Sequence, residues 1–291
     1  MPNDITVVLT LYKRPYNLEK QFEAIENQTI KPDKIILFQD KTTDGSIVEI
    51  PENIKNKFDD IKIASENIGV WGRFNYARSV KTKYVCIFDD DTIPGEKWLE
   101  NCLNEMNKQE GLYGTNGVLM YKAKDYPYGH YHRIGWYSTN KHTIEVDFVG
   151  HSWFLKTQWL EYMFDNTEDM QKLKYAGEDM TLSAKLLEHG IKTFVPPHPI
   201  NNKKIWGSLP KFGIELGKDK NSLCVNPANL KKYNDGMMRL LQNGLIPVIN
   251  RNNEINKIHK KILFIKRITW LIRIDNIKEP LRRILFSLFN I

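Results

Sequence analysis

Residues 88–94 read FDDDTIP: three adjacent carboxylates directly after the apolar run Tyr84 to Phe88. Like charges in a row repel one another, and burial raises their cost further, so a positive partner is expected there. Alternate residues of an extended segment face the same side. Asp89 and Asp91 can therefore flank one hard cation while Asp90 points elsewhere. Mg²⁺ or Mn²⁺ held by one or two carboxylates, with a diphosphate completing the shell, is the usual arrangement for such ligands. The competing reading is a solvated acidic turn capping the next helix. A second acidic pair, Glu178-Asp179, opens a helical pattern, where carboxylates suit the helix dipole whatever else they do.

These acids need a frame, and the first two-thirds of the chain supplies one. Ile5 to Leu11 (ITVVLTL), Lys34 to Phe38 (KIILF), Asp60 to Ala64 (DIKIA) and Tyr84 to Phe88 (YVCIF) read as strands, rich in β-branched and apolar residues. Between them, Asn17 is placed to cap a helix running to about Asn27, and a second helix is expected from about Gly72 to Val80. The alternation predicts an α/β fold, a mainly parallel sheet with helices on both faces. Such sheets bind ligands beyond the carboxyl ends of their strands. Thr10, Asp40 and Asp89 to Asp91 all fall at or just past those ends. Pro94 is expected to open a helix with Trp98, Leu99, Cys102, Leu103 and Met106 on its apolar face. Strands are expected near Leu112 to Met120, Thr143 to Phe148 and Ile191 to Val195, and helices near Thr157 to Phe164 and Glu178 to Glu188. Residues 121–137 read as an aromatic, glycine-rich stretch, and 196–226 as a loop long enough for a functional lid.

The 291 residues are 41% hydrophobic and 26% charged, the composition of a globular protein with a proper core. Cys86, Cys102 and Cys224 match no zinc or redox spacing, which points to a reducing compartment. No secretory signal is evident, and no apolar run approaches the ~20 residues that span a bilayer, so a cytoplasmic protein is expected. The net charge of +7 is local: ten Lys and Arg against three Asp and Glu lie from Arg251 onward, leaving 32 of each sign in residues 1–250. A nucleic-acid partner is not expected, because the basic excess is confined to an apolar tail.

Five segments in order carry a resemblance: TVVLTLYKRP (Thr6 to Pro15), FQDKTTDGS (Phe38 to Ser46), NIGVWGRFNYARS (Asn67 to Ser79), YVCIFDDDTIPGEKWLE (Tyr84 to Glu100) and AGEDMTLSAKLLEHG (Ala176 to Gly190). Together they resemble the GT-A glycosyltransferases, above all the family-2 type, over roughly residues 4–200. VDFVGHSWFLKTQWLE (Val146 to Glu161), with the triple Asp, is also similar to the exostosin-like transferases. The resemblance implies a Rossmann-like GT-A fold and transfer of a hexosyl or N-acetylhexosaminyl group from a nucleotide sugar, in the first place a UDP-sugar. Thr10, Leu11, Tyr12 and Arg14 would then border the base and ribose, and Asp40 would accept a hydrogen bond from the base. Asp89 or Asp90 would touch the nucleoside, with Asp91 and Asp89 on Mn²⁺ or Mg²⁺. Asn67 and Gly69 would shape the loop beneath the nucleotide, and Arg73 and Arg78 are candidates for the pyrophosphate, although Arg78 could equally pair with a nearby carboxylate. Asp179 would be the general base of an inverting displacement, with Glu178 positioning the acceptor. His198 would add a metal ligand from a C-terminal segment, as in many enzymes of this type. Trp136, His151 and Trp153 are acceptor-side candidates, and His130-x-His132 reads as a metal pair, an acceptor surface or a plain loop.

Residues 1–250 are thus expected to form the catalytic domain and 251–291 a basic amphipathic helical tail. In the tail Pro280 is placed to start a last helix with Leu281, Ile284, Leu285, Leu288 and Phe289 as its stripe. Together with Lys257, Lys260, Lys261, Lys266, Arg267 and Trp270, this suits a segment lying on the inner face of the cell membrane; a helical pair packing on the catalytic domain or forming a homodimer contact is the alternative. A glycan or lipid-linked acceptor in surface polysaccharide assembly is expected by analogy. A retaining exostosin-like enzyme and a non-enzymatic Ca²⁺-binding module at a membrane surface are the rival functions. A sugar-1-phosphate nucleotidyltransferase lacks support, since LYKRP after the first strand is no glycine-rich phosphate loop.

Overall fold

The structure, a computed structural model, describes residues 3–135, 138–209, 226–270 and 275–289. Its strands are β1 (Ile5–Leu11), β2 (Lys34–Gln39), β3 (Asp60–Ile63), β4 (Tyr84–Phe88), β5 (Gly111–Met120), β6 (Tyr131–Gly135), β7 (Ile144–Glu145), β8 (Phe148–Lys156) and β9 (Lys192–Val195). They form one sheet in the order β3-β2-β1-β4-β8-β5-β9-β7, with β6 beside β5. The first four strands are parallel, as the alternating pattern demands. β8 then runs antiparallel between β4 and β5, and β9 returns parallel to β5. The result is the α/β, Rossmann-like sheet expected. β1 and β4 are almost wholly buried, so their near-continuous apolar sequences reflect cover on both faces.

The helices are α1 (Pro15–Glu26), α2 (Glu52–Lys55), α3 (Gly72–Ala77), α4 (Trp98–Lys108), α5 (Leu160–Met163), α6 (Glu168–Gln171), α7 (Glu178–Glu188), α8 (Pro227–Gln242), α9 (Val248–Arg251), α10 (Asn253–Trp270) and α11 (Asp275–Leu288). α1 starts two residues before the expected cap: Pro15, whose missing N–H costs nothing at N1, opens it, and Asn17 lies buried inside the first turn. α4 begins at Trp98 rather than at Pro94. Gly95 N–H already donates to Trp206 O (2.9 Å) and Lys97 N–H to Lys204 O (2.8 Å), so this stretch is tied to the 203–206 segment. A Cβ at Gly95 would stand 2.4 Å from Lys204 O, which reserves the position for glycine. Of the expected lid at 196–226, residues 210–225 lie outside the described residues, as does Cys224.

The tail packs on the body. Ile255, Ile262, Ile265 and Phe286 join the same buried cluster as the sheet. α11 begins at Asp275, so Pro280 stands inside it rather than at its start. One buried carboxylate ties this C-terminal part to the sheet. Asp147 accepts from Met120 N–H (2.7 Å) at the end of β5 and from Val248 N–H (2.8 Å) at the start of α9. Burial raises its pKa to about 7.

Asp147→Ala leaves two buried N–H donors without partners and is expected to lower stability by about 2–4 kcal/mol in urea unfolding. The folded-state pKa lies above the ordinary carboxyl value, so the neutral group favours the fold. That contribution is full below about pH 4 and is lost as pH rises through about 7. Asp147→Asn, which cannot ionise, should flatten this part of the stability–pH curve.

Candidate active site

The acidic run leaves β4 clamped by its backbone. Asp89 N–H donates to His151 O (3.0 Å) on β8. Two buried amides of α1 hold the following carbonyls: Gln21 donates to Asp89 O (2.7 Å) and Thr92 O (2.7 Å), and Asn17 to Asp90 O (3.1 Å). With the backbone fixed, two arginines divide the carboxylates. Arg14, buried at the start of α1, donates to Asp90 Oδ1 and lies 3.6 Å from Asp91 Oδ2. Arg73 of α3 donates to Glu178 Oε1 (2.9 Å), stands 3.2 Å from Asp89 Oδ1, and rests on the Trp153 ring at 4.9 Å. Burial raises both Asp89 and Asp90, the latter to about 6, against the opposing charges of Arg73 and Arg14. Asp91 ends below the usual value: the upward push of burial is outweighed by the hydrogen bond and charge of His151, aided by Arg14.

His151 reaches this cluster through a bulge. Gly114 pairs with Trp153 and Asn116 with Gly150, so one residue of β5 faces two of β8, His151 and Ser152. His151 adopts φ +70°, and its Nδ1 comes to 3.4 Å from Asp91 Oδ1. Bulges re-aim side chains in this way beside active sites. One ligand atom each from Asp89, Asp91 and His151 lies within 4.8 Å of the others. Two carboxylates and an imidazole are hard to borderline donors that fit Mn²⁺ or Mg²⁺. Asp91 and Asp89 also raise the pKa of His151 against the pull of burial, so the carboxylates favour positive charge at this point.

Across Gly150 lies the second acidic pair. Gly177, at φ +92°, turns the chain into α7, and Glu178 and Asp179 occupy its first turn. Asp179 Oδ1 accepts from Met180 N–H (2.7 Å). Its Oδ2 borders Gly150, where an added Cβ would stand 3.8 Å away. Burial, then the charge of Glu178, raise Asp179 to about 8. Glu178 is buried on Arg73, and its Oε2 has no partner. Arg133 of β6 bears electrostatically on both His151 and Asp179, a neighbour that the sequence reading missed.

Beyond the ends of β1 and β2, Asp40 holds a loop. It accepts from the backbone N–H of Ile68 (3.0 Å) and Gly69 (2.9 Å) and from Asn67 Nδ2 (3.2 Å), and the backbone of Lys41 adds a further hydrogen bond. Asn67 Oδ1 in turn accepts from Tyr175 OH (2.8 Å). Leu11 is buried, Tyr12 stands half-buried near Asp40 and Asn67, and Thr10 donates to Phe88 O (2.8 Å). These residues do converge on one end of the sheet.

Several expected site residues lie elsewhere. His198 is fully buried between Trp98 and Trp206; its Nδ1 donates to Pro196 O (2.8 Å) and its Nε2 accepts from Gly207 N–H (3.2 Å). With both ring nitrogens engaged it has none for a metal, and His151 stands at the acidic pair instead. Arg78 forks onto Glu161 in a 360 Å³ hollow lined by residues 80–83, which precede β4, so it sits at the opposite end of that strand from Asp89. Arg73 meets carboxylates rather than open space. Trp153 is a buried pillar whose Nε1 donates to Val149 O (2.8 Å), with no face for an acceptor. Trp136 lies outside the described residues. Of the H-x-H pair, His130 meets Asp125 (2.6 Å) and His132 points to α10.

A sequence model described as "Glycosyl transferase family 2" matches residues 6–164, a span that includes the acidic run, Arg73 and His151. No curated protein sequence matches the chain. Among solved structures, similarity is found to the crystal structure of S. aureus TarS, at 16% identity and a TM-score of 0.45. The match covers 68% of this chain and 35% of that one, so the chain spans about a third of the other protein's length.

Titration calorimetry with Mn²⁺ checks the ligand set. Asp91→Ala and His151→Ala should each weaken binding at least about tenfold. His198→Ala should leave metal affinity unchanged while lowering the unfolding midpoint. The reverse pattern would return the metal to His198.

Proposed function

The chain belongs to glycosyl transferase family 2 and is a glycosyltransferase of GT-A fold, and from that premise we propose a metal-dependent, inverting transfer from a nucleotide sugar, a UDP-sugar in the first place, to a glycan or lipid-linked acceptor. One observation carries the reading: Asp89, Asp91 and His151 converge at the end of β4, and Asp179 Oδ2 lies beside Gly150, the residue that precedes His151. Enzymes of this fold commonly use divalent metals, and Asp89, Asp91 and His151 would hold the ion. Bound there, it would neutralise charge on the departing diphosphate.

The chain's own residues account for the rest. Leu11, Tyr12 and the Asp40-braced loop at Asn67 to Gly69 form the wall for base and ribose. Arg14 fixes Asp90, so one carboxylate of the run is withdrawn from the ion and set toward the donor side. Asp179 takes the proton of the acceptor hydroxyl as that oxygen bonds to the anomeric carbon, and the bond to the diphosphate breaks with its electron pair leaving on the phosphate oxygen. Met180 N–H holds one oxygen of Asp179 and leaves the other for this task. A pKa near 8 makes the ionised carboxylate a strong base. Arg73 bridges Glu178 and Asp89 through one nitrogen and so links the acceptor side to the donor side. An acceptor in surface polysaccharide assembly at the cytoplasmic side of the membrane remains part of this proposal.

Nucleotide release from UDP-, GDP-, CMP- and dTDP-sugars, with Mn²⁺, Mg²⁺ or EDTA, tests it. One donor should be hydrolysed slowly, and Asp91→Ala or EDTA should abolish that turnover. If no nucleotide binds under any condition, the donor site is misplaced. Asp179→Asn should lower the rate by about 10²–10⁴-fold without changing nucleotide affinity. Because the base must be ionised, the rate should rise about tenfold per pH unit below its pKa and level off above it, at about pH 8 or lower once a cation is bound. A product of retained anomeric configuration would remove Asp179 from this role.

A further inference from the structure

We propose that the solvent face shared by α10 and α11 is a docking surface for an anionic lipid bilayer, independently of the reading of the active site. In α10 the exposed residues from Lys257 onward, Lys257, Lys260, Lys261, Phe264, Arg267 and Ile268, recur at three- and four-residue spacing, so they form one face; the exposed Glu254 before them pairs with Lys257 (2.6 Å). Its opposite face, Ile255, Ile262, Ile265 and Thr269, is buried, with Thr269 accepting from Arg282 Nε of α11 (2.9 Å). In α11 the exposed positions among those whose side chains are described are apolar: Ile277, Pro280, Ile284 and Leu288, the last 73% exposed. The two faces adjoin, because Phe264 meets Phe289 edge-on at 5.8 Å and Lys261 Nζ donates to Phe289 O (3.2 Å).

Half of the ten large hydrophobic side chains exposed among the described residues lie on these two helices, Phe264, Ile268, Ile277, Ile284 and Leu288, so the patch is concentrated rather than scattered. The charge identifies the occupant. The tail carries the chain's whole +7 excess, and a second copy of this face would bring like charges together. A bilayer with anionic headgroups accepts both components, the apolar side chains below the headgroups and the lysines among them. No described helix is long and apolar enough to cross a membrane, so the pair would lie in the surface.

The attachment to the body is specific. Lys266 Nζ lies 2.9 Å from His132 Nδ1, and an ammonium only donates, so Nδ1 accepts. His132 Nε2 then carries the hydrogen and donates to His259 Nδ1 (2.9 Å). This relay keys α10 to β6, whose next residue, Arg133, bears on His151 and Asp179. The lipid face and the acceptor side of the site are therefore held to opposite faces of one strand.

The test is co-sedimentation of the full chain with vesicles of phosphatidylcholine, with and without phosphatidylglycerol. Binding should require the anionic lipid, weaken with salt, and fall at least about tenfold in either of two variants. One is Phe264→Ser/Ile284→Ser/Leu288→Ser; the other, which leaves every apolar contact intact, is Lys260→Glu/Lys261→Glu/Arg267→Glu. Folding of both is checked by circular dichroism. No binding to anionic vesicles, or equal binding to neutral ones, overturns the proposal. So does a concentration-dependent dimer in sedimentation velocity that the serine variant dissolves, which would assign the patch to a second copy.

Discussion

Three adjacent carboxylates at the mouth of a buried strand are electrostatically untenable alone, and the rest of this molecule is arranged around that problem. Arg14 takes Asp90 and Arg73 takes Asp89, while the imidazole of His151 stands beside Asp91, so the two arginines offset only part of the charge of the run. α1 holds the carbonyls between them with amide side chains, which keeps the acids from swinging away from one another. Mutual repulsion is thus converted into a fixed negative field. A dissolved cation finds there a site whose reorganisation has already been done by the fold.

The parts of this arrangement that are local in sequence were legible. Strands β1 to β4 announce themselves by apolar, β-branched runs, and α7 by its acidic first turn and the glycine that ends its run. β8 did not, because Gly150, His151 and Ser152 interrupt its pattern where the bulge lies. The same bulge explains why His198 was favoured over His151 as a metal ligand. Sequence spacing cannot count the extra residue that turns His151 toward Asp91, while His198 follows a strand end in the manner of a ligand. β6 was likewise obscured, since Tyr131 to Gly135 alternates between a face turned to the site and one covered by α10.

Family membership and fold rest on longer patterns and were therefore more secure than any one residue. Arg78 shows the difference. It belongs to a segment that resembles the family, yet its guanidinium goes to Glu161 at the far end of β4. The tail teaches the same lesson in another form. Periodicity placed Leu281 and Leu285 with Ile284 and Leu288 on one stripe, but packing sorts them: Ile284 and Leu288 face solvent, while Leu285 turns against the core. An amphipathic pattern with two apolar edges does not say which edge the body will cover.

Gly69 has φ +73°, and a Cβ there would stand 2.1 Å from Lys174 O. Val70 N–H donates to that same carbonyl (3.0 Å), and Tyr175 OH reaches Asn67. The loop braced by Asp40 and the segment leading to Asp179 are therefore meshed without clearance, like adjacent teeth of a gear. A side chain at position 69 would have to push these two segments apart, so their contact depends on the absence of a single methyl group.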